Sequence, residues 1–437
     1  MMPDTSPKSR TLPRTGIKAS ALTFAVLTLC GLLAGCGAGT SGSAGDKVEL
    51  QFSWWGNADR AAATNEAVDL FERRHPNIEV QTSFSSYNSY IQKLATQAAG
   101  GNAPDVMQLD YRQISQYASS GLLLPLGDRP EVSTEKVGSG MLRTGQVRGT
   151  QYAIPMGRTS QVLVYDSAEW QRAGVSEPRL DWTWQDWSAA MRELNENTDQ
   201  AGSTDPGWSE DWFEVWLRGR GKSLYTDSGE LGFDKSDLAK FWSFTNELSQ
   251  RGAVSPARQT TQIDGSAANM PFGRGNAASG ITWDSAVGGF QALIGDSLRL
   301  APLPSGPDGT PGQYFKPSML VGVSANSPHP EEAAQLVDFL INDPKAGDVL
   351  GVSRGMPVNQ DIRENITPSL SGLDERIADF QQRLEGKLLD PPSAPPAGDL
   401  ALQTTFQRDY DHVGFELRSP RRMAEQFLTS VRSELQP

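Results

Sequence analysis

The sequence predicts an α/β fold in which helices cover a mostly parallel sheet, and three observations support this class. Short stretches of alternating apolar and polar residues are typical of strands, and longer stretches with apolar residues at helical spacing lie between them. From residue 48 to residue 109 the two patterns alternate in the order β-α-β-α-β. The roughly 400 residues after the N-terminal segment are enough for two domains of ordinary size.

The predicted elements of the first region follow one another with short gaps. They are a strand at 48–52, a helix that ends at His75 before Pro76, a strand at 78–80, a helix at 90–98 and a buried strand at 104–109. Such an order places the carboxyl ends of the strands along one edge of a sheet. Side chains just after those strands are therefore candidates for a site.

A second α/β region begins after Pro155. Its predicted elements are a strand at 162–165, a helix at 185–196, a helical and aromatic-rich stretch at 208–250, strands at 279–283 and 322–324, and an amphipathic helix at 331–341. Four prolines near residue 393 mark a surface loop before the last helices. Residues 359–420 carry no clear pattern beyond that loop.

The N-terminal segment predicts export and lipid attachment. A basic stretch precedes an apolar run at 19–33, which is short for a membrane span, and the run ends in Leu33-Ala34-Gly35-Cys36. This order is typical of a secretory signal at 1–35 that ends in a lipobox, with Cys36 as the lipidated first residue of the mature chain. An uncleaved anchor helix is the alternative. Residues 36–46 are rich in Gly, Ala and Ser and predict a flexible tether.

Charge and cysteine content exclude several classes of site. Loss of 1–35 removes four basic residues and one acid, so the net charge changes from −13 to −16. This balance argues against nucleic acid and anionic lipid surfaces as partners. Cys30 lies in the signal and Cys36 is the lipid acceptor, so no thiol is left for a disulfide or a nucleophile. The three histidines are widely spaced, so we expect no metal and no cofactor.

Five segments, in this order along the chain, resemble the extracellular solute-binding proteins of family 1, the sugar receptors of bacterial ABC importers. They are Phe-Ser-Trp-Trp-Gly at 52–56 with His-Pro-Asn-Ile-Glu-Val at 75–80; Gly-Asn-Ala-Pro-Asp-Val at 101–106 with 121–126; Gln-Tyr-Ala-Ile-Pro at 151–155 with 164–166, 173–175 and 182–184; Phe-Gly-Arg-Gly-Asn-Ala-Ala at 272–278; and Gly-Met-Pro-Val at 355–358. The resemblance covers nearly all of the mature chain and departs mainly in residues 359–420.

The resemblance implies two α/β lobes joined by hinge strands, with a ligand cleft between them. It implies that the chain crosses between the lobes near Pro155, Leu298 and Gly351. Residues 47–157 plus 298–350 would then form the N-terminal lobe, and residues 158–297 plus 351–437 the C-terminal lobe. It further implies a monomeric, non-enzymatic receptor that is held at the outer face of the cytoplasmic membrane and delivers a sugar or oligosaccharide to permease subunits. Ligand-driven closure of the lobes would be the mechanism.

The candidate ligand contacts of the first lobe follow two of its strands. Trp54 and Trp55 end the first strand, and because adjacent strand residues face opposite ways, at most one of them should face the cleft. Asp110 follows the third strand and matches the family's position for a carboxylate that binds hydroxyls. Its alternative role is to cap the next helix.

The candidate contacts of the second lobe combine tryptophans with acids. Trp283 and Asp284 follow a strand, and the family often places a stacking Trp there. Trp208, Asp211 and Trp212 fall in one helical stretch, whose alternative role is core packing. Tryptophan rings pack on the C–H faces of sugars, and carboxylates accept from hydroxyl groups.

Two arginines complete the candidate site, and two other functions stay open. Arg158 follows the first crossing and Arg354 precedes the fifth segment; each can donate to a ligand or form an ion pair. A secreted glycosidase would need a pair of carboxyls, for which Asp211 and Asp284 are the candidates. A receptor for a polyamine, phosphodiester or peptide is the other alternative.

Overall fold

The computed structural model of this protein describes residues 47–435. The predicted signal, lipobox and tether at 1–46 lie outside the described residues. Among residues 47–435, no helix combines the length and the apolar character that crossing a membrane requires.

Ten strands form the sheets of the described chain. They are β1 (Val48–Trp55), β2 (Ile78–Ser85), β3 (Val106–Leu109), β4 (Gln146–Val147), β5 (Thr150–Gln151), β6 (Ala153–Asp166), β7 (Ser279–Trp283), β8 (Leu298–Ala301), β9 (Phe315–Val323) and β10 (Met356–Pro357). Eight of them belong to one sheet, whose main path runs β10-β6-β9-β3-β1-β2, while β7 and β8 both pair with β6. The remaining pair, β4 and β5, forms a small hairpin.

Sixteen α-helices cover these strands. They are α1 (Ala58–Arg74), α2 (Tyr87–Ala99), α3 (Ile114–Ser119), α4 (Ser139–Arg143), α5 (Ser167–Ala173), α6 (Trp184–Asn197), α7 (Glu210–Arg218), α8 (Lys235–Gln250), α9 (Ala257–Thr260), α10 (Val287–Ile294), α11 (Pro330–Asn342), α12 (Pro344–Leu350), α13 (Gln360–Ile366), α14 (Gly372–Leu384), α15 (Asp399–Gly414) and α16 (Pro420–Glu434). The predicted stretch at 208–250 is two helices, because a glycine-containing turn at 219–234 interrupts it.

The α/β class is confirmed, but the sheet is less parallel than predicted. β1 pairs in parallel with β2 and β3, as the β-α-β order requires. β9 is antiparallel to β3 and to β6, and β7, β8 and β10 are antiparallel to β6. The reason is that β9 returns from the second lobe and inserts beside β3, a non-local pairing that local periodicity does not encode.

β6 is the strand that the two lobes share. Its first half pairs with β9 and β10, its second half pairs with β7 and β8, and its register with β9 shifts between Pro155 and Arg158. The first lobe packs its core around residues such as Phe52 and Phe339. The second lobe has a larger, aromatic core that includes Trp242.

Pairing around β6 corrects the expected positions of two crossings. β8 begins at Leu298, but it pairs with Leu163–Asp166 inside the second lobe, so the chain returns to the first lobe only along β9. After Gly351, β10 still pairs with the first half of β6 and α13 packs on α12. The chain enters the second lobe again with α14, and α15 and α16 pack against α8 there. These contacts assign most of residues 359–420, for which the sequence predicted no clear position, to one of the two lobes.

Candidate functional site

A cavity of about 490 Å³ lies between the two lobes. The first lobe lines it with Tyr111 and Arg112, which come directly after β3. The second lobe lines it with the acidic face of α7 and with Tyr314 and Lys316 at the start of β9. Arg143 of the first lobe and two loops, at 221–227 and 389–395, complete the lining; Tyr225 belongs to the first of these loops. This volume lies in the range of small-molecule sites.

The end of β3 positions the first-lobe side chains. All four residues of β3 are buried, and Asp110 caps the short 3-10 helix that follows by accepting from the Arg112 N–H at 2.9 Å. The other carboxylate oxygen of Asp110 accepts from the Tyr87 hydroxyl at 2.9 Å. The capping role considered for Asp110 is therefore present, and Asp110 supports the neighbouring site residues instead of lining the cavity itself.

Arg112 connects the lobes through a cluster of charged groups. Its guanidinium lies 3.3 Å from a Glu210 carboxylate oxygen, 3.2 Å from Asp211 and 3.7 Å from Asp399, and it donates to Gln403 at 2.9 Å. Burial raises the pKa of Glu210 to about 7, the Asp211 charge acts in the same direction, and Arg112 opposes both. The cluster thus offers several acceptors around one fixed cation.

A second cation lies against an aromatic pair. The Lys316 Nζ is 3.8 Å from the centroid of the Trp283 ring, and the centroids of Trp283 and Tyr314 are 6.4 Å apart. Burial lowers the pKa of Lys316, and the nearby Asp211 carboxylate opposes this shift. The Arg218 guanidinium carbon lies 4.9 Å from the centroid of the Tyr314 ring. Trp283 is half-buried behind Lys316, which covers one face of its ring.

The structure separates the predicted tryptophans. Trp54 is buried in the first-lobe core, whereas Trp55 is half-buried, with its ring centroid 5.4 Å from that of Tyr87 in an edge-on arrangement. Neither ring lines the cavity of about 490 Å³. Trp212 is buried in the second-lobe core, and Trp208 packs against it with a centroid separation of 6.2 Å. Trp54 and Trp212 therefore have core roles, because their strand and helix turn them toward the packed interior.

Two predicted polar residues are buried and hold the fold together. Asp284 accepts from the Thr159 hydroxyl at 2.5 Å, the Ser160 N–H at 3.0 Å and the Gln381 amide at 2.8 Å. Arg354 donates to Gln108 and Thr64 inside the first lobe. Neither side chain lines the cavity, because each points into the protein from the end of a strand or loop.

Arg158 forms the ion pair that was its alternative role. It donates to Glu385 at 2.6 Å and to the Gln381 amide oxygen at 2.9 Å. Its guanidinium carbon lies 4.4 Å from the centroid of the Phe315 ring. These partners place Arg158 beside a separate surface cavity of about 350 Å³. Asp211 is thus the predicted polar residue that does line the main cavity.

Sequence reasoning missed most of the residues that line this cavity. Tyr111 and Arg112 had a signal, because they follow a predicted strand end directly. Glu210 lies next to the predicted Asp211 and belongs to the same helix. Tyr314 and Lys316 carried no signal in the sequence. The strand predicted at 322–324 begins at Phe315, and apolar and polar residues alternate only weakly in its first part.

The arrangement suits a polar ligand with many hydroxyl groups. Tyrosine rings, carboxylates and several cationic side chains line one cavity, so the site offers apolar surface, acceptors and donors together. The part of the chain at 47–435 contains no group of three or more His, Cys, Asp or Glu residues that could hold a metal ion.

Comparison with known proteins supports a binding fold. A family model described as bacterial extracellular solute-binding protein matches residues 55–346. The chain is 26% identical over 340 residues to an uncharacterized lipoprotein in the oleD 5′ region of Streptomyces antibioticus, covering 73% of this chain and 72% of that protein. It is 23% identical over 292 residues to the diacetylchitobiose binding protein DasA of Streptomyces coelicolor, covering 66% and 68%.

A solved structure has the same architecture. An extracellular solute-binding protein family 1 member from Alicyclobacillus acidocaldarius superposes with a TM-score of 0.72 and 32% identity, over 90% of this chain and 100% of that one. The fold with two lobes and an intervening cleft is therefore confirmed, as is the family resemblance stated from the five segments.

Proposed function

The chain belongs to the bacterial extracellular solute-binding protein family, and from that premise we propose that it captures a sugar or short oligosaccharide between its lobes for an ABC importer. The single observation that carries the proposal is the cavity of about 490 Å³ lined by Tyr111, Tyr225 and Tyr314 together with carboxylates and cations. A sugar presents C–H faces that pack on aromatic rings and hydroxyls that need both donors and acceptors. The diacetylchitobiose ligand named for the Streptomyces coelicolor relative supports this ligand class.

The proposed mechanism is closure of the lobes around the ligand. Arg112 comes from the first lobe, and its partners Glu210, Asp211 and Asp399 come from the second, so the charged cluster forms only when the lobes approach. A ligand that contacts both sides adds to this contact and shifts the population toward the closed form. The permease would then recognise the closed surface of a monomeric receptor.

The Asp211 and Asp284 pair named for the glycosidase alternative does not meet in the cavity, which supports a binding role. A glycosidase needs two carboxyls facing its substrate, about 5 to 9.5 Å apart. Asp211 lines the cavity, but Asp284 is 1% exposed and its oxygens accept from three protein donors. The acids nearest to the cavity are paired with Arg112 and Arg218, which argues against a polyamine ligand.

We propose in addition that the mature protein is anchored by lipid at Cys36. The basic stretch, the apolar run and the Leu33-Ala34-Gly35-Cys36 order carry this proposal. The lipoprotein name of the Streptomyces antibioticus relative supports it. Anchoring at the outer face of the membrane would keep the receptor close to its permease.

Calorimetric titration with a ligand panel tests the proposed function. The panel contains malto-, cello- and chito-oligosaccharides together with spermidine, glycerophosphodiesters and a tripeptide. We expect a saccharide to bind and Asp211→Asn to weaken its binding by about 10- to 150-fold, the range for a hydrogen bond to a charged group. Asp296→Asn, an exposed second-lobe change, is the matched control and should bind normally.

Small-angle scattering on the same samples provides a second readout. Saturating saccharide should reduce the radius of gyration of the wild-type protein, because the lobes close. Binding of spermidine or a phosphodiester without binding of any saccharide would contradict the sugar assignment. Saccharide binding that Asp211→Asn leaves unchanged would contradict the location of the site.

A further inference from the structure

A proline-rich segment at 389–396 crosses the opening between the lobes. It reads Leu-Asp-Pro-Pro-Ser-Ala-Pro-Pro and connects α14 to α15, both in the second lobe. Proline fixes φ and lacks an N–H, so four prolines in six residues hold the backbone extended without internal hydrogen bonds. We call residues 389–396 the strap.

The strap is fixed to the second lobe at its start. Leu389 forms a parallel bridge with Tyr314, and its N–H donates to the Gln313 carbonyl at 3.3 Å. The Arg218 guanidinium donates to the Asp390 carbonyl. Tyr314 and Arg218 both line the cavity, so the strap begins at the site itself.

Side chains of the first lobe hold the remainder of the strap. The Tyr111 hydroxyl lies 2.9 Å from the Pro392 carbonyl and 2.5 Å from that of Ser393. The Ser115 hydroxyl donates to the Pro395 carbonyl at 2.5 Å. Because the strap prolines have no N–H, these bonds run from the first lobe to strap carbonyls. The strap therefore contacts both lobes.

The strap also separates two cavities. The cavity of about 490 Å³ is lined by residues 389–395, and a second cavity of about 820 Å³ is lined by Ser393, Ala394 and residues 396–398. Ser393, Ala394 and Arg112 line both cavities. The strap thus forms part of the wall between two neighbouring cavities that share lining residues.

We propose that the strap limits the length of the saccharide that this receptor accepts. The inference rests on the proposed function and adds a ligand class to it: short saccharides that fit within the cavity of about 490 Å³, on the side of Tyr111 and Tyr314. A longer chain would need to continue into the second cavity, and the wall at Ser393 and Ala394 blocks that path. Its rigidity comes from Pro392 and Pro395, whose carbonyls the first lobe binds.

Loosening the strap tests this inference. Pro392→Gly/Pro395→Gly in the full chain keeps both carbonyls but removes the φ restriction. Disaccharide and hexasaccharide members of the malto, cello and chito series are titrated by calorimetry. Wild type should bind the preferred disaccharide at least 10-fold more tightly than its hexasaccharide, and the variant should reduce this ratio to about threefold or less.

Two controls accompany the variant. Pro125→Gly/Pro130→Gly makes the same change at exposed positions of a first-lobe loop and should keep the wild-type ratio. Ser115→Ala removes one hydroxyl that holds the strap and serves as a second variant should the double glycine variant fail to fold. It should shift the ratio in the same direction by a smaller factor.

The outcomes separate the strap inference from the proposed function. A wild-type protein that binds no saccharide contradicts the proposed function. Saccharide binding with equal affinity for short and long chains contradicts the strap inference alone. So does a ratio that stays at the wild-type value in folded variants.

Discussion

The Asp205 carboxyl group is buried at the start of the segment that carries the acidic site residues. It is 1% exposed, accepts from the Gly207 N–H at 2.8 Å, and accepts from the Tyr410 hydroxyl at 2.8 Å. Burial raises its pKa to about 7, and the two hydrogen bonds oppose that shift. Asp205 thereby fixes the 3-10 turn Pro206–Trp208 that leads into α7.

Replacing Asp205 should change how stability depends on pH. A raised carboxyl pKa means that the folded state keeps its proton between pH 4 and pH 7 while the unfolded chain has lost it. The free energy of unfolding contributed by Asp205 therefore falls as pH rises through this window. Asp205→Asn keeps an acceptor and a donor group but cannot titrate. Between pH 4.5 and pH 7.5 the free energy of unfolding of this variant should therefore fall less than that of wild type, by roughly 3 kcal/mol.

Urea unfolding at the two pH values measures this difference. Asp128→Asn, a change at an exposed loop position, should reproduce the wild-type dependence. If the free energy of unfolding changes equally between the two pH values in wild type and in Asp205→Asn, the Asp205 carboxyl group is charged in the folded protein throughout this pH range.

Strand β6 depends on one glycine where its register shifts. The Cβ of any other residue at Gly157 would lie 2.0 Å from the Arg354 carbonyl oxygen and 2.8 Å from the Ser318 hydroxyl. The Ser318 hydroxyl in turn donates to that carbonyl. The segment before β10 can approach β6 this closely only because position 157 has no side chain.

Gly157→Ala should therefore destabilise the protein by roughly 1–3 kcal/mol, the usual cost of forcing extra atoms into a packed region. Gly138→Ala is the matched control, because Gly138 is exposed and no atom lies within 4 Å of its added Cβ. The control should change stability by less than about 1 kcal/mol. Thermal and urea unfolding compare the two, and equal stabilities would show that β10 moves away at little cost.

The predicted membrane location of the whole protein rests on the sequence of its N-terminal segment. Cys36→Ser should abolish lipid attachment and remove the protein from the membrane fraction, because serine supplies no thiol for the lipid. Cys30→Ser changes the same residue type within the apolar run and should leave anchoring intact. Membrane fractionation with mass spectrometry of the N-terminal peptide measures both, and a membrane-bound Cys36→Ser protein with a normally processed N-terminus would contradict the lipobox.

Sequence alone predicted several elements of the fold correctly. The helix predicted to end at His75 ends there, since its cap N–H bonds to the Phe71 carbonyl, and the helix predicted at 185–196 begins with a capping box between Thr183 and Asp186. Local signals suffice for such ends, because the groups involved are three or four residues apart. The candidate site was less predictable: Asp211 lies in the cavity, while Trp54, Trp212, Asp284 and Arg354 are buried elsewhere.

The sequence by itself determined the α/β class, the order of elements and the family, because periodicity and short motifs are local properties of the chain. Only the tertiary structure decided that Arg112 meets Glu210 and Asp399, and that the strap crosses the cleft. Those partners are roughly 100 to 290 residues apart. Apolar periodicity states which face of an element is buried, but packing of whole elements decides which neighbour covers it. β9 shows this directly, because its return beside β3 brings Lys316 to the cavity.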